Sequence, residues 1–302
     1  MEKIIVKNVN KSYGDVRAVQ ELSFNIGEGK IYGILGPNGA GKTTTIRMLL
    51  NIIPPDSGEI LIDNKPFEEK MKEKIGYLPE ERGLYRKLKV KDTLCFFGEL
   101  KGMKPKQALK SAKEWVEKVE LSEWFERKIE ELSKGMQQKI QFISSIIHNP
   151  DIIVFDEPFS GLDPLNTEIL LDIMLEMRKK GSTILFSTHI LEHAEKLVDS
   201  ITLIKKGRNV LTGSLEEIKN KYSANLFRIE LEEDNVKLKE FPYIKEINSF
   251  GKEYEIEIDD DIDGAKFLKD IVENGIRIDK FEKIRPSLKN IYLKVMKEEE
   301  QK

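Results

Sequence analysis

A single cysteine, Cys95, stands in the whole sequence, so no intramolecular disulfide can form. It lies in the apolar stretch TLCFFGEL and reads as a core thiol rather than a nucleophile. Long hydrophobic runs are missing as well. None approaches the ~18 residues of a membrane-spanning helix, which excludes a path through a bilayer made by these residues alone. MEKIIVKNV carries no signal-peptide h-region, so the expectation is a soluble, cytoplasmic chain. Charge of one sign does not accumulate either: the formal net charge is -3. That supplies no long-range attraction to nucleic acid, and no nucleic-acid partner is expected. No internal repeat of roughly 20–50 residues is present, which argues against solenoids and propellers.

What is present is a balance of 39% hydrophobic and 34% charged residues over 302 positions. That fits a packed core under a highly charged surface, with length for one large domain and a small one. IIVKNV (4–9) alternates like an edge strand, and ELSFNI (21–26) alternates too. KIYGIL (30–35) reads as a buried strand running into GPNGAGKTTT, and TIRMLLNII (45–53) as a helix stopped by Pro54 and Pro55. GEILIDN and KIGYLPE read as short strands. Over residues 85–150 helical periodicity takes over, in VKDTLCFFGEL, KQALKSAKEWVEKV and GMQQKIQFISSIIH. DIIVFDEP (151–158) and STILFSTH (182–189) read as buried strands, with the helix ILLDIMLEMRKKG between them.

Beyond residue 216 the period changes to two in FRIELEE, YIKEINSF and EYEIEI, with helical AKFLKDIVENG and SLKNIYLKVM. The predicted architecture is α/β. Residues 1–215, where GPNGAGKT (36–43) has the glycine-rich, lysine-bearing pattern of a phosphate-binding loop, are expected to form a P-loop NTPase core with an antiparallel β subdomain and a helical insertion (about 85–150). Residues 223–302 form a small α+β domain. The acidic run containing Glu257, Asp259, Asp260, Asp261 and Asp263 lacks EF-hand spacing and reads as a solvated turn.

GPNGAGKT fits G-x-x-x-x-G-K-[ST] between a strand and a helix, a loop whose backbone N–H groups converge on phosphate. Gly36, Pro37, Asn38, Gly39, Ala40, Gly41, Lys42, Thr43 and Thr44 are therefore the candidate nucleotide-binding residues. Lys42 would neutralise the β- and γ-phosphates, and Thr43 would offer its hydroxyl to Mg²⁺. Asp156 and Glu157 end an apolar strand, at the edge where open α/β sheets bind ligands. Asp156 suits the Mg²⁺ and Glu157 the attacking water, as general base. His189 ends another buried strand and could reach the γ-phosphate. In LSKGMQQK, Ser133 reads as a helix N-cap, and such a helix start favours an anion.

In order, Tyr13, GPNGAGKT, GYLPE, LSKGM, IIVFDEP, SGLD and STH resemble the motif set of the ATP-binding-cassette family, over residues 1 to about 215. The resemblance implies an ATPase that takes ATP with Mg²⁺, built from two nucleotide-binding chains packed head to tail. Each ATP would lie between one chain's phosphate loop and the other chain's signature residues Ser133, Lys134, Gly135 and Met136. Tyr13 resembles the aromatic that stacks on adenine, Asp163 the residue that couples the two sites, and His189 the switch histidine. Lys134 and Met136 replace the usual Gly and Gln of the signature. Glu80 stands where Gln is usual; a carboxylate can still ligand Mg²⁺ but cannot donate a hydrogen bond. GYLPEERGLY and the C-terminal PSLKNIYLKVM resemble cassettes of sodium and multidrug exporters. The implied chain is the ATPase subunit of an exporter, peripheral on the inner face of the cell membrane, driving separate transmembrane permease subunits. The alternative is a soluble cassette ATPase in translation or DNA maintenance. Those types usually carry two cassettes or a long coiled coil, and this sequence has neither.

Overall fold

The structure, a computed structural model, describes all residues except 82, 224, 233–237, 239, 260, 301 and 302, and also leaves out the side chains of 250, 299 and 300. The chain divides into two compact units, Met1–Leu215 and Glu216–Lys302.

The first unit runs β1 (Glu2–Tyr13), β2 (Val16–Gly27), β3 (Ile31–Leu35), α1 (Lys42–Leu49), β4 (Ser57–Ile62), β5 (Lys65–Pro66) and β6 (Ile75–Leu78). It continues with α2 (Val90–Leu100), α3 (Pro105–Lys118), α4 (Lys134–Ile146), β7 (Ile152–Asp156), α5 (Pro164–Lys179), β8 (Thr183–Thr188), α6 (Leu191–Leu197), β9 (Ser200–Lys205) and β10 (Arg208–Ser214), before α7 (Leu215–Lys221).

One sheet has the order β2-β1-β4-β5. IIVKNV is therefore an inner strand, not the edge strand its alternation suggested, because β1 pairs antiparallel with both β2 and β4. Alternation records that one face is buried (Ile4, Val6 and Val9); it carries no record of a second neighbour arriving much later in the chain. The larger sheet has the order β10-β9-β3-β8-β7-β6. β9, β3, β8, β7 and β6 are parallel to their neighbours, and only β10 runs antiparallel. Every residue of β3, β7 and β8 is buried, as a parallel sheet covered on both faces requires. Ile34, Val154, Leu185 and Ile204 of this sheet share one core with Ile4, Phe24 and Ile26 of the other.

Parallel strands bring their C-terminal ends to one edge. The phosphate loop after β3, Pro79-Glu80 after β6, Asp156-Glu157 at the end of β7 and His189 after β8 thus share a side of the molecule. α1 stops well short of Pro54: its C-cap is Leu50, and Asn51 turns into the left-handed region at φ 53°. Between β6 and β7, α2, α3 and α4 bury Val90, Leu94, Ala108, Ala112, Ile140 and Ile143. α2 and α3 approach so closely that a Cβ on Gly98 would lie 3.1 Å from Ala108 Cβ. Cys95 is half-buried on α2 rather than in the core, and desolvation with Glu99 and Asp92 nearby pushes its thiol pKa up, away from reactivity.

The second unit contains β11 (Asn225–Leu231), β12 (Ile244–Phe250), β13 (Glu253–Ile258), α8 (Gly264–Glu273), β14 (Ile278–Lys283) and α9 (Leu288–Glu300). Its antiparallel sheet, β12-β13-β11-β14, buries Phe227, Ile229, Ile256 and Ile258 against Phe267 and Ile271 of α8. In the acidic run, Asp263 caps α8, accepting 2.7 Å from the Lys266 N–H, and Asp259 pairs with Lys245 at 3.5 Å. Position 260 lies outside the described residues. Among the described residues no group of three or more His, Cys, Asp or Glu could hold a metal ion.

Candidate nucleotide site

β3 hands the chain to a loop that wraps the N-terminus of α1. Gly36 has φ 155°, and a Cβ there would lie 2.3 Å from the Ile204 carbonyl oxygen. Gly41 caps α1 at φ 106°, and its Cβ would lie 2.4 Å from the Ala18 carbonyl oxygen. The loop is wedged between β9 and β2, so glycine is required there for room as well as for dihedral freedom. The Lys42 ammonium folds back into the loop, donating 2.9 Å to the Gly36 carbonyl and 3.3 Å to that of Pro37. Only 6% exposed, it lies 3.1 Å from Glu157 Oε1, an ion pair without hydrogen-bond alignment.

Glu157 follows β7 in the left-handed region, at φ 50°. A non-glycine residue there carries a cost of roughly 1–2 kcal/mol, sustained by the partners that fix it. Its N–H donates 3.0 Å to Ser187 Oγ, and its Oε2 lies 3.0 Å from His189 Nδ1. Ser187 Oγ in turn donates 2.5 Å to Asp156 Oδ1. Ser187 thus ties both acids to the neighbouring strand, where Asp156 and Ser187 stand in register. Sequence reasoning missed Ser187; its signal was the pair of hydroxyl residues, Ser187 and Thr188, that ends the apolar run ILF just before the histidine.

Asp156 is 1% exposed. Burial pushes its pKa above the ordinary carboxylate value, against hydrogen bonding from Ser187 and Thr43. Its Oδ2 accepts no hydrogen bond among the described residues. A buried carboxylate oxygen left free beside the Thr43 hydroxyl fits a hard divalent cation, and with nucleotide phosphate oxygens the donor set suits Mg²⁺. Glu80 is exposed but lines the same cleft, a space of about 800 Å³ that also involves Asn38, Gly39, Lys42, Thr43 and Glu157.

Tyr13 is not among the residues lining that cleft. It ends β1, 51% exposed, with the Lys11 ammonium 5.9 Å from its ring centroid. The next residues, Asp15, Val16, Arg17 and Ala18, do line the cleft, as do Gln20 and Lys206, none of which the motifs had marked.

Ser133, Lys134, Gly135 and Met136 lie outside the cleft of their own chain. Ser133 is the N-cap of α4, its Oγ accepting 3.2 Å from the Met136 N–H. The same helix reaches the other motifs from its buried face: Gln138 Nε2 donates 3.1 Å to the Pro158 carbonyl, and Gln141 Nε2 2.9 Å to that of Glu81. Asp163 caps α5, accepting from the N–H and the side-chain amide of Asn166, bonds that hold its pKa below the usual carboxylate range.

Comparison with known proteins agrees with this geometry. The family model described as "ABC transporter" matches residues 19–160, and "ATP-binding protein DrrA1-3-like, C-terminal domain" matches residues 213–296. An ABC transporter ATP-binding protein of Methanocaldococcus jannaschii is 49% identical over 243 residues, 80% of this chain and 87% of the relative. The ABC transporter ATP-binding protein YhaQ of Bacillus subtilis is 39% identical over 290 residues, 96% of this chain and 97% of its own length. The linearmycin resistance ATP-binding protein of Bacillus subtilis is 35% identical over 215 residues, 70% and 69% of the two chains. Among solved structures, an ATP-binding subunit of an ABC transporter superposes with a TM-score of 0.68 at 29% identity, covering 73% of this chain and 93% of that one. The chain belongs to the ATP-binding subunits of ABC transporters, a family that binds and hydrolyses ATP.

Proposed function

We propose that this chain is the ATPase subunit of an exporter, closing in pairs around two Mg·ATP and driving separate membrane subunits. The observation that carries the reading is the convergence of Lys42, Asp156, Glu157 and His189 from separate segments onto one sheet edge. The triphosphate takes Lys42 from Glu157, exchanging an internal ion pair for contacts to the β- and γ-phosphates. Glu157, released but still held by its backbone and by His189, then accepts a proton from the attacking water. His189 Nδ1 keeps the carboxylate oriented while its other nitrogen faces the γ-phosphate. Thr43, Asp156 and Glu80 would hold Mg²⁺, which neutralises charge developing on the phosphates. Gly36, Pro37, Asn38, Gly39, Ala40, Gly41 and Thr44 supply the rest of the phosphate cradle. The exposed ring of Tyr13, at the mouth of the cleft-lining turn, stacks on adenine.

A second copy completes each site. Ser133 and Gly135 cannot serve their own chain's cleft, and inside the chain a Cβ on Gly135 would meet only Leu162, at an ordinary 3.7 Å. Nothing within the fold demands glycine there, so its use points outward, to a phosphate held by the partner, with Lys134 and Met136 beside it. Leu165 next to the Asp163 cap is 81% exposed, an apolar side chain suited to burial in that interface. Contact with permease subunits is supported by Tyr85, Phe96 and Phe97, whose rings cluster within 5.5–6.4 Å of each other beside exposed Leu88 and Leu100. Among the described residues no helix is long and apolar enough to cross a membrane. The export direction is supported by the linearmycin resistance relative.

Glu157→Gln tests the core of this reading. The variant keeps ATP affinity, loses turnover by about 100-fold or more and elutes as a dimer when ATP and Mg²⁺ are present. Undiminished turnover would remove Glu157 as the base, and an ATP-bound monomer would remove the paired site.

A further inference from the structure

We propose that Arg17 and Lys206 are nucleotide-binding residues, a pair of cations on the two hairpins flanking the phosphate loop that hold the polyphosphate tail from outside the loop. The proposal rests on the nucleotide reading of the cleft and adds contacts that none of its motifs supplies. Both residues line the same cleft as Gly39, Ala40 and Lys42. Both are exposed, and neither makes an ion pair or a side-chain hydrogen bond among the described residues. Their neighbours are spoken for: Lys11 binds Asp56 at 2.7 Å, and Arg208 donates to Gln20 Oε1 at 3.1 and 3.0 Å.

The backbone fixes where the two cations stand. Arg17 pairs with Ser12 across the β1–β2 hairpin. Lys206 occupies the turn between β9 and β10 in the left-handed region, φ 49°. That turn is bonded to the phosphate loop and to β2 at once. The Gly207 N–H donates 2.9 Å to the Ala40 carbonyl, while the Gln20 N–H donates 2.8 Å to the Gly207 carbonyl. Gln20 Nε2 donates 2.9 Å to the Lys206 carbonyl itself. Contact is close enough that a Cβ on Gly207 would lie 2.7 Å from the Ala18 carbonyl oxygen. Lys206 therefore stands on a braced turn rather than on a free loop.

Charge gives these positions a purpose. The cleft lining holds Asp15, Glu80 and Glu157 against Arg17, Lys42 and Lys206. With Lys42 and Glu157 matched to each other, Asp15 and Glu80 alone would repel an incoming polyphosphate. Arg17 and Lys206 offset them one for one, and being unpaired they have charge to give to the ligand. The attraction grows with the number of phosphates and weakens as salt screens it.

The test is titration of ADP and ATP, without divalent cation, into the full-length parent, the Arg17→Gln/Lys206→Gln double variant and a Lys113→Gln control. Lys113 is exposed on α3, outside the cleft lining, and removes a charge of the same sign. At about 50 mM salt the double variant binds ADP roughly fivefold more weakly than the parent, with a larger loss for ATP and a gap that closes at about 500 mM salt. Lys113→Gln binds as the parent does. Equal affinities for the double variant and the parent at low salt would overturn the proposal, and so would an equal loss in the control. A parent that bound neither nucleotide would instead overturn the nucleotide reading beneath it.

Discussion

Asp156 and Glu157 are adjacent acids with opposite circumstances. Glu157 has the Lys42 ammonium and the His189 ring for company, whereas Asp156 has hydroxyl partners and one bare oxygen. Burial raises the Asp156 pKa. From the ordinary carboxylate value up to the raised one, the folded protein holds a proton that the unfolded chain has released, so stability falls as pH rises through that window. Asp156→Asn removes the charge and keeps an oxygen for Ser187. The gap in unfolding midpoint between this variant and the nucleotide-free parent is expected to widen in the variant's favour from about pH 4 to pH 7. Magnesium-dependent turnover is expected to fall about 100-fold or more. Thermal melts across that range decide it: a variant no more stable than the parent at any pH would mean that the buried charge carries no penalty. The identity of both acids was legible in VFDEP, because an apolar run ending in carboxylates has few other uses in such a sheet. The expected roles of the two acids were assigned from that stretch as well; the partners that hold them were not legible, since Ser187 is brought to them by strand register and Lys42 by the loop's return on itself.

At the scale of elements, α4 connects the most sites. Its N-terminus presents Ser133, and its buried face bonds to the carbonyls of Pro158 and Glu81, next to Glu157 and Glu80. Gln141, a buried amide, thereby ties the segment around Glu80 to α4. Gln141→Leu leaves the Glu81 carbonyl without this donor. Its expected effect is a loss of roughly 1 kcal/mol, moderated because Gln141 Oε1 is already unpartnered. Urea unfolding should show a lower midpoint with an unchanged slope; an unmoved midpoint would mean that this bond does not hold the loop. The helix start at Ser133 was readable from the cap residue, and the strand before each motif from its apolar run. The inner position of β1 and the half-exposed setting of Cys95 were not, because both depend on which distant segment packs alongside.

For the whole molecule the question is whether one copy owns a complete catalytic pocket. Within a chain, Ser133 caps α4 through one bond on an exposed helix end. Losing such a cap costs about 1 kcal/mol, too little to unfold a large domain. A collapse of turnover in Ser133→Ala would therefore need another cause, and the proposed head-to-tail pair would supply one. A Lys42→Ala homodimer has both phosphate loops disabled, and a Ser133→Ala homodimer has both signature helices disabled. In a mixed dimer one pocket carries both defects, while the other joins an intact Lys42 to an intact Ser133. Random exchange of subunits makes half the dimers mixed, so the mixture should recover about a quarter of the parent's turnover if the pockets act independently. Phosphate release from the mixture, with capture of one variant through an affinity tag carried only by the other to establish that mixed dimers form, is the measurement. Recovery from two inactive preparations has no explanation in a monomer with a self-sufficient site. A mixture that stays as inactive as its components, with mixed dimers present, would rule out the shared pocket, and full turnover by Ser133→Ala alone would show that the signature helix takes no part in it.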